Sequence, residues 1–125
     1  MRFTETHEWI DVKENVGVVG VSAFAQKELG DIVYVELPKV GREVKKGQEA
    51  AVLESTKAAA DVYSPASGKI IEVNATLNQK PELVNTSSEG EGWLFKLQLS
   101  DPQELTGLLD KQAYQANLKD SGFSP

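Results

Sequence analysis

The sequence predicts a mainly β fold, built from short strands with a few short helices. Its apolar stretches are short, rich in Val and Ile, and interrupted by Gly or Pro, which is typical of strands and turns. Residues 38–44 (PKVGREV) and 65–71 (PASGKII) also share a Pro-x-x-Gly turn, a basic residue and an aliphatic last position. Such an echo on both sides of a central segment indicates a quasi-symmetric pair of small sheets.

One short helix is expected to interrupt the strands of the first half. Residues 22–30 have Ser22 as a good N-cap, Phe24, Ala25 and Leu29 on one face, and Gly30 at the left-handed position after the last turn. Because the flanking segments are β-branched and bounded by turn residues, they are predicted to be strands. These strands cover residues 9–12, 16–21, 32–37 and 43–44.

The central segment, about residues 48–65, is predicted to be a hairpin. Propensity alone favours a helix here, because the run Ala58–Ala60 consists of the best helix former. However, Val52–Leu53 and Val62–Tyr63 lie on either side of residues 55–58 and between a Gly and a Pro. This arrangement fits two strands that fold back around residues 55–58.

The last third is expected to contain two strands, a loop and a C-terminal helix. A strand is predicted at residues 70–73, and the polar residues 78–92 are interpreted as a loop with one helical turn at 81–84. The odd-numbered residues of 93–99 should face the core. A helix of about residues 102–118 is expected because Asp101 can act as N-cap and Pro102 suits the first helical position. Its apolar face would comprise Leu105, Leu108, Leu109 and Ala113.

Composition restricts the function. The chain of 125 residues is long enough for one domain, residues 1–125, and its formal charge is −6. An acidic protein repels phosphate backbones and anionic lipid, so we expect no nucleic-acid or membrane partner. Cysteine is absent, which excludes disulfides and thiolate chemistry, and His7 is the single histidine, which makes a poor transition-metal site.

Lys57 is the residue of most interest, because it lies at the tip of the predicted hairpin. An exposed lysine in a turn is most often merely solvated. Here the small residues Ala58, Ala59 and Ala60 leave one side of the tip free of bulk. That is what a lysine needs if it has to enter the active site of another protein.

Six segments together carry a resemblance to a known family. They are residues 6–9 (THEW), 25–38 (AQKELGDIVYVELP), 54–65 (ESTKAAADVYSP), 67–74 (SGKIIEVN), 81–85 (PELVN) and 92–94 (GWL). In this order they resemble the H proteins of the glycine cleavage system, over nearly the whole chain. The departures are small: Thr56 stands where an aliphatic residue is common, and Ala60 where serine is common.

The resemblance implies a fold and a carrier role. The fold would be a flattened β-barrel or sandwich of the lipoyl/biotinyl type with short helices and a C-terminal helix. Lys57 would carry lipoic acid, attached by a lipoylating enzyme, and the protein would itself be non-catalytic. Its partners would be a pyridoxal-phosphate glycine decarboxylase, a tetrahydrofolate-dependent aminomethyltransferase and a flavin dihydrolipoyl dehydrogenase, between which it shuttles the aminomethyl group of glycine.

The resemblance also implies roles for particular residues. Thr6, Glu8 and Asp61 match positions that hold the cationic amine of the loaded arm. Glu54 lies three residues before Lys57, and we expect it to help the lipoylating enzyme recognise the hairpin. His7 is predicted to be structural or a neighbour of that pocket, and not a metal ligand.

Other carriers remain as alternatives. The main one is an H-like lipoate-binding protein that serves another pathway or relays lipoate. A biotin carrier would have methionines beside its lysine, where this chain has Thr56 and Ala58. A lipoyl domain of a 2-oxoacid dehydrogenase would lack the early His7-Glu8-Trp9 segment and the C-terminal helix. We expect a monomer in a bacterial cytoplasm, or in the mitochondrial matrix if a transit peptide has been removed.

Overall fold

A computed structural model describes residues 1–120 as ten strands, three α-helices and two short 3-10 helices. The strands are β1 (Arg2–Phe3), β2 (Glu8–Lys13), β3 (Val16–Val21), β4 (Ile32–Glu36), β5 (Glu43–Val44), β6 (Glu49–Ser55), β7 (Ala59–Tyr63), β8 (Gly68–Val73), β9 (Phe95–Leu99) and β10 (Leu109–Asp110). The α-helices are α1 (Ala23–Leu29), α2 (Glu82–Ser87) and α3 (Lys111–Asp120), and the 3-10 helices cover Ala75–Asn78 and Pro102–Gly107.

The described strands form two antiparallel sheets. The larger has the order β10-β1-β2-β3-β9-β8-β5, and the smaller has the order β4-β6-β7. One apolar cluster joins buried residues of both sheets, including Val19, Ile70 and Phe95 from the larger and Leu53 and Val62 from the smaller. The resemblance implies either a flattened barrel or a sandwich. Because the strands of residues 1–120 form two separate sheets, the structure is a sandwich.

The two similar Pro-x-x-Gly segments lie side by side. β5 pairs with β8 through Glu43 and Lys69 and through Val44 and Gly68. The backbone of Ile70 extends this pairing, since its carbonyl accepts from Gly41 N–H at 2.7 Å and its N–H donates to Arg42 O at 2.8 Å. The prediction of a quasi-symmetric pair of small sheets is therefore wrong, because the two similar segments contribute strands to the same sheet and the two sheets have seven and three strands.

The prediction of α1 is confirmed together with both of its ends. Ser22 Oγ accepts a hydrogen bond from Ala25 N–H at 3.1 Å, which caps the first turn. Gly30 ends the helix with a φ of +85°, a conformation that residues with a Cβ rarely adopt. The helix packs Ala25 and Leu29 against the main core, and Phe24 against a second buried cluster formed by Phe3, Trp9, Tyr114 and Leu118.

The predicted hairpin is also confirmed, because β6 and β7 pair in antiparallel register from Glu49–Tyr63 to Glu54–Ala59. The alternation predicted for residues 93–99 is confirmed within β9, where Phe95, Leu97 and Leu99 are buried. It is wrong before the strand begins, because Trp93 is half-buried and Leu94 is fully buried. The alanine run favours a helix by intrinsic propensity. It is nevertheless part of a hairpin, because the strands allow Leu53 and Val62 to bury their side chains completely.

The prediction of one helix over about 102–118 is wrong. Residues 102–107 form a 3-10 helix, and Leu109 then pairs with Phe3 as part of β10 before α3 begins at Lys111. Asp110 starts this second helix, because its Oδ1 accepts from Ala113 N–H at 2.8 Å. Its apolar face consists of Tyr114 and Leu118, and Ala113 is exposed. The pairing of β10 with β1 separates the 3-10 helix from α3, so the α-helix begins only at Lys111.

The interpretation of residues 78–92 as a loop is wrong in part. Helix α2 covers Glu82–Ser87, longer than the single turn expected, and Val84 is fully buried in the main core. Within the described residues, none of the helices is both long and apolar enough to cross a bilayer.

Candidate functional site

Lys57 lies exposed in the connection between β6 and β7. The turn is held by Ser55, whose Oγ accepts from Lys57 N–H and from Ala58 N–H, each at 3.1 Å. The same hydroxyl donates to Ala58 O at 3.2 Å, and Ser55 N–H donates to that carbonyl at 2.8 Å. The backbone of the tip is therefore ordered while the lysine side chain remains outside the core.

The Lys57 side chain lies against the C-terminal end of α1. A methyl group on Gly30 would be 3.4 Å from Lys57 Cε and 3.6 Å from Nζ. Thr56 N–H donates to Asp31 O at 3.3 Å, which ties the tip to the residue after Gly30. Asn85 of α2 fixes the same connection, since its Oδ1 accepts from Ile32 N–H at 2.8 Å. The lysine thus has a defined neighbour, the end of the helix.

A cleft of about 340 Å³ runs between α1, the edge strand β7 and the start of β2. Its apolar lining residues are Val21, Phe24, Ala25, Leu29, Leu53, Ala60 and Val62. Its polar lining residues are Thr6, His7, Glu8, Glu28 and Asp61. The cleft therefore combines an apolar wall with hydroxyl and carboxylate groups.

Glu8 is the buried carboxylate of this cleft, with 2% of its surface exposed. Its Oε1 accepts from Thr4 Oγ1 at 2.6 Å and from Thr6 Oγ1 at 2.5 Å, and its Oε2 accepts from Tyr63 N–H at 3.2 Å. Burial raises the pKa of Glu8 above its ordinary value, and these hydrogen bonds oppose the shift because they stabilise the carboxylate.

His7 forms part of the cleft wall in an unusual backbone conformation, with a φ of +74°. Its Nδ1 is 2.7 Å from Tyr114 Oη, which is itself 2.7 Å from Ser22 Oγ. Its ring also packs at 4.6 Å from the ring of Phe24. Burial lowers the pKa of His7, and the charge of Glu28 acts in the opposite direction.

The structure brings together most of the site residues predicted from the sequence. Thr6, Glu8 and Asp61 line one cleft, and His7 lies beside them. Glu54 is elsewhere, exposed on the small sheet opposite Tyr34 and Ala59 and three residues from Lys57. No group of three or more metal-ligating side chains is present within residues 1–120.

Three site residues were not predicted from the sequence: Ser55, Glu28 and Tyr114. A serine two residues before a turn position is a recognised turn signal, so Ser55 could have been found. Glu28 is three residues from Ala25, hence on the same face of α1, so its place on the cleft follows from helical periodicity. Tyr114 is 107 residues away from His7 in sequence, and no local pattern predicts that contact.

Comparisons with known proteins agree with this geometry. The sequence profile of the family described as Glycine cleavage H-protein matches residues 1–121. A glycine cleavage system H protein from Thermotoga maritima is 60% identical over 114 residues, which cover 91% of this chain and 92% of that protein. Another from Symbiobacterium thermophilum is 52% identical over 120 residues, covering 96% and 94%.

A solved structure is similar as well. The crystal structure of a glycine cleavage system H protein from Mycobacterium marinum superposes with a TM-score of 0.85 at 35% sequence identity. The match covers 97% of this chain and 95% of that one. The likeness therefore extends over the sheets, the helices and the cleft-bearing segments together.

Proposed function

The chain belongs to the glycine cleavage H-protein family and is a lipoyl carrier of the glycine cleavage system, and on this premise we propose that Lys57 carries the lipoyl group. We further propose that the cleft between α1 and β7 shelters the end of the arm. One observation supports both proposals: Thr6, Glu8 and Asp61 line a cleft whose wall, α1, ends against the Lys57 side chain.

The dimensions of the arm and of the cleft wall are compatible. A lysyl side chain, an amide and an acyl chain of on the order of ten bonds reach roughly 10 to 15 Å at standard bond lengths. Helix α1 has seven residues and is therefore about 10 Å long. An arm that starts beside Gly30 and follows α1 can reach its N-terminal end, where Thr6 and Glu8 lie.

The lining of the cleft also fits the chemistry of the arm. When bound, a lipoyl group supplies a cyclic disulfide that accepts the aminomethyl group of glycine as it is reduced. The apolar residues Leu29, Leu53 and Val62 suit an acyl chain. The amine at the end of the loaded arm is cationic near pH 7, and Glu8 and Asp61 supply negative charge for it. An exposed ion pair, such as one with Asp61, contributes about 0 to 1 kcal/mol, so the arm is held but remains releasable.

Membership in the glycine cleavage system implies the decarboxylase, the aminomethyltransferase and the dihydrolipoyl dehydrogenase as partners. We propose that each acts on the arm while this chain presents and protects it without catalysing a step. We also propose that the lipoylating enzyme recognises Glu54, since its exposed carboxylate is near the tip of the hairpin. The bacterial relatives support a bacterial cytoplasmic location.

The sheltering role is tested by replacing both cleft carboxylates, Glu8→Gln with Asp61→Asn. This variant should release the aminomethyl group from the isolated loaded protein faster than the wild type, because the amine loses its two negative neighbours. The measurement is the rate of ammonia release from protein loaded by the decarboxylase. A matched control replaces two exposed carboxylates outside the cleft lining, Glu14→Gln with Glu91→Gln. An unaltered release rate in the cleft variant would place the shelter elsewhere.

A further inference from the structure

Tyr114, in the C-terminal helix α3, lies behind the cleft wall. The residue is buried, and its ring stacks on Phe3 with the centroids 4.4 Å apart and the planes 7° from parallel. Packing of this kind needs only a phenyl ring. The hydroxyl group therefore has a separate role, which is to be sought in the two polar atoms that it contacts.

These two atoms belong to two different walls of the cleft. His7 is part of the segment that contains Thr6 and Glu8, and Ser22 caps α1, which contributes Ala25 and Leu29. The backbone links the same two walls, since Ser22 N–H donates to His7 O at 2.9 Å. The Tyr114 hydroxyl joins them a second time, at 2.7 Å from each side chain.

Of the two directions that the distances allow for the hydrogen bonds in this chain of groups, one gives the hydrogen of the Ser22 hydroxyl an acceptor. Ser22 Oγ already accepts from Ala25 N–H, so its own hydrogen is available for Tyr114 Oη. In that direction Tyr114 Oη donates its own hydrogen to His7 Nδ1, 2.7 Å away. A nitrogen that accepts a hydrogen bond is unprotonated, so this arrangement gives a neutral His7 with its proton on Nε2.

The backbone of His7 needs such support. A residue with a Cβ at a φ of +74° is held in a sparsely populated conformation, which persists where the surroundings over-determine it. This conformation lies between Thr6 and Glu8, so it sets the directions in which both neighbouring side chains leave the backbone.

We infer that Tyr114 is a positioning residue for the arm cleft, whose hydroxyl fixes His7 as a neutral imidazole and holds its segment to the N-cap of α1. The inference rests on the proposed sheltering role of the cleft. A neutral imidazole leaves the negative charge of the cleft undiminished, whereas an imidazolium would repel the amine of the loaded arm. Groups facing His7 are Tyr114 from α3 and Glu28 from α1, with Phe24 packed on its ring.

The test compares Tyr114→Phe with the control Tyr34→Phe. The first variant keeps the ring on Phe3 and removes the hydroxyl, and the second removes a hydroxyl from an exposed tyrosine that does not line the cleft. Lipoylation at the tip should be the same in both. Release of the aminomethyl group should be faster in Tyr114→Phe by about fivefold, the factor that corresponds to about 1 kcal/mol for one net hydrogen bond.

A second readout needs no arm at all. His7 is the single histidine of the chain, so nitrogen-15 NMR of the unlipoylated protein reports its tautomer and its titration without overlap. The wild type should show the proton on Nε2. The pKa of His7 should rise in Tyr114→Phe, because a hydrogen bond to the neutral form is lost.

The outcomes separate this inference from the proposed function. A wild-type His7 protonated on Nδ1 at neutral pH, or a Tyr114→Phe protein with unchanged release and an unchanged His7 titration, overturns the positioning role. If release is unaltered in Tyr114→Phe but faster in the variant lacking both cleft carboxylates, the cleft is the shelter and Tyr114 does not position it. If that carboxylate variant also releases at the wild-type rate, the sheltering proposal fails first.

Discussion

Lys57 combines an exposed side chain with an ordered backbone, so its contribution to folding is expected to be small. Lys57→Arg keeps the charge and much of the length, and surface substitutions of this kind change stability by no more than about 0.5 kcal/mol. A guanidinium stays protonated and is too weak a nucleophile to be acylated. The variant should therefore melt within a degree or two of the wild type, a shift of the size expected from such a small change.

The same variant should show no lipoyl mass increment and no glycine–bicarbonate exchange with the decarboxylase. Intact-mass measurement and peptide mapping of the wild type provide the control, with lipoate expected on Lys57 alone. Lipoate on Lys69 or Lys80, or an arginine variant that keeps its activity, would show that attachment occurs at another lysine.

Glu8 gives the stability of the fold a pH dependence whose sign can be worked out. Burial raises its pKa in the folded protein, so the folded state binds the proton more tightly than the unfolded state. Its contribution to stability is therefore fully present below the unfolded pKa of about 4.3 and is lost as the pH rises through the higher folded value. Glu8→Gln removes this titration.

The free energy of unfolding of the wild type minus that of Glu8→Gln should consequently fall as the pH rises from about 4 to about 7. Urea unfolding at several pH values measures it. Thr4→Ser keeps the hydroxyl that donates to Glu8 Oε1, so it should follow the wild-type curve. A difference that stays constant or grows with pH contradicts the assignment of a raised pKa to this carboxyl.

The hairpin formed by β6 and β7 depends on one side chain at its turn. In Ser55→Ala the backbone N–H groups of Lys57 and Ala58 lose their acceptor. We expect a loss of about 0.5 to 1 kcal/mol in the free energy of unfolding, the net worth of such hydrogen bonds where water can replace them. Lipoylation should slow as well, because the lysine would no longer leave the turn in one direction.

Thr56→Ala is the matched control for Ser55→Ala. The Thr56 side chain is exposed in the same turn and forms no side-chain hydrogen bond with residues 1–120. Its stability and its rate of lipoylation should remain near those of the wild type. Equal rates for the two variants, measured by the mass increment over time, would show that Ser55 does not order the tip.

Elements whose signals are local could be predicted from the sequence. Helix α1 has a capping serine and a terminal glycine within nine residues, and the hairpin has apolar pairs on both sides of a polar turn. The C-terminal region could not be predicted in the same way, because the pairing of Leu109 with Phe3 is a contact between the two ends of the chain. Residues 102–118 have the composition of a helix, but the long-range pairing of Leu109 with Phe3 prevents one continuous helix.

The sequence pattern alone also does not predict which residues form the cleft. Thr6, Glu8 and Asp61 could be proposed because they match positions of a family, whereas their spacing contains no sign of a common site. Helix α1 forms one wall of the cleft, and Glu8 Oε2 accepts a hydrogen bond from Tyr63 N–H in β7, the strand that contains Asp61. Tertiary contacts between distant segments determine this part of the site.

The whole molecule carries a formal charge of −6, and the small sheet contributes exposed carboxylates to it. Glu36, Glu54 and Asp61 are exposed residues of this sheet, and none of them forms an ion pair with another residue of the described chain. A field of this sign favours encounter with a basic surface, and salt screens it over about 30 Å at 0.01 M but about 8 Å at 0.15 M.

The KM of the lipoylating enzyme for the unmodified protein should therefore rise with ionic strength while kcat changes little, because salt weakens encounter and leaves the acylation step intact. Glu54→Gln should raise the KM at low salt and flatten its salt dependence, because this carboxylate lies closest in sequence to the lysine that must enter the enzyme. Glu14→Gln removes the same charge from the turn between β2 and β3 in the other sheet, so it should retain the steep salt dependence of the wild type. If both glutamine variants respond to salt alike, net charge alone steers the encounter and Glu54 has no recognition role. A KM that does not respond to salt would exclude electrostatic steering of this complex altogether.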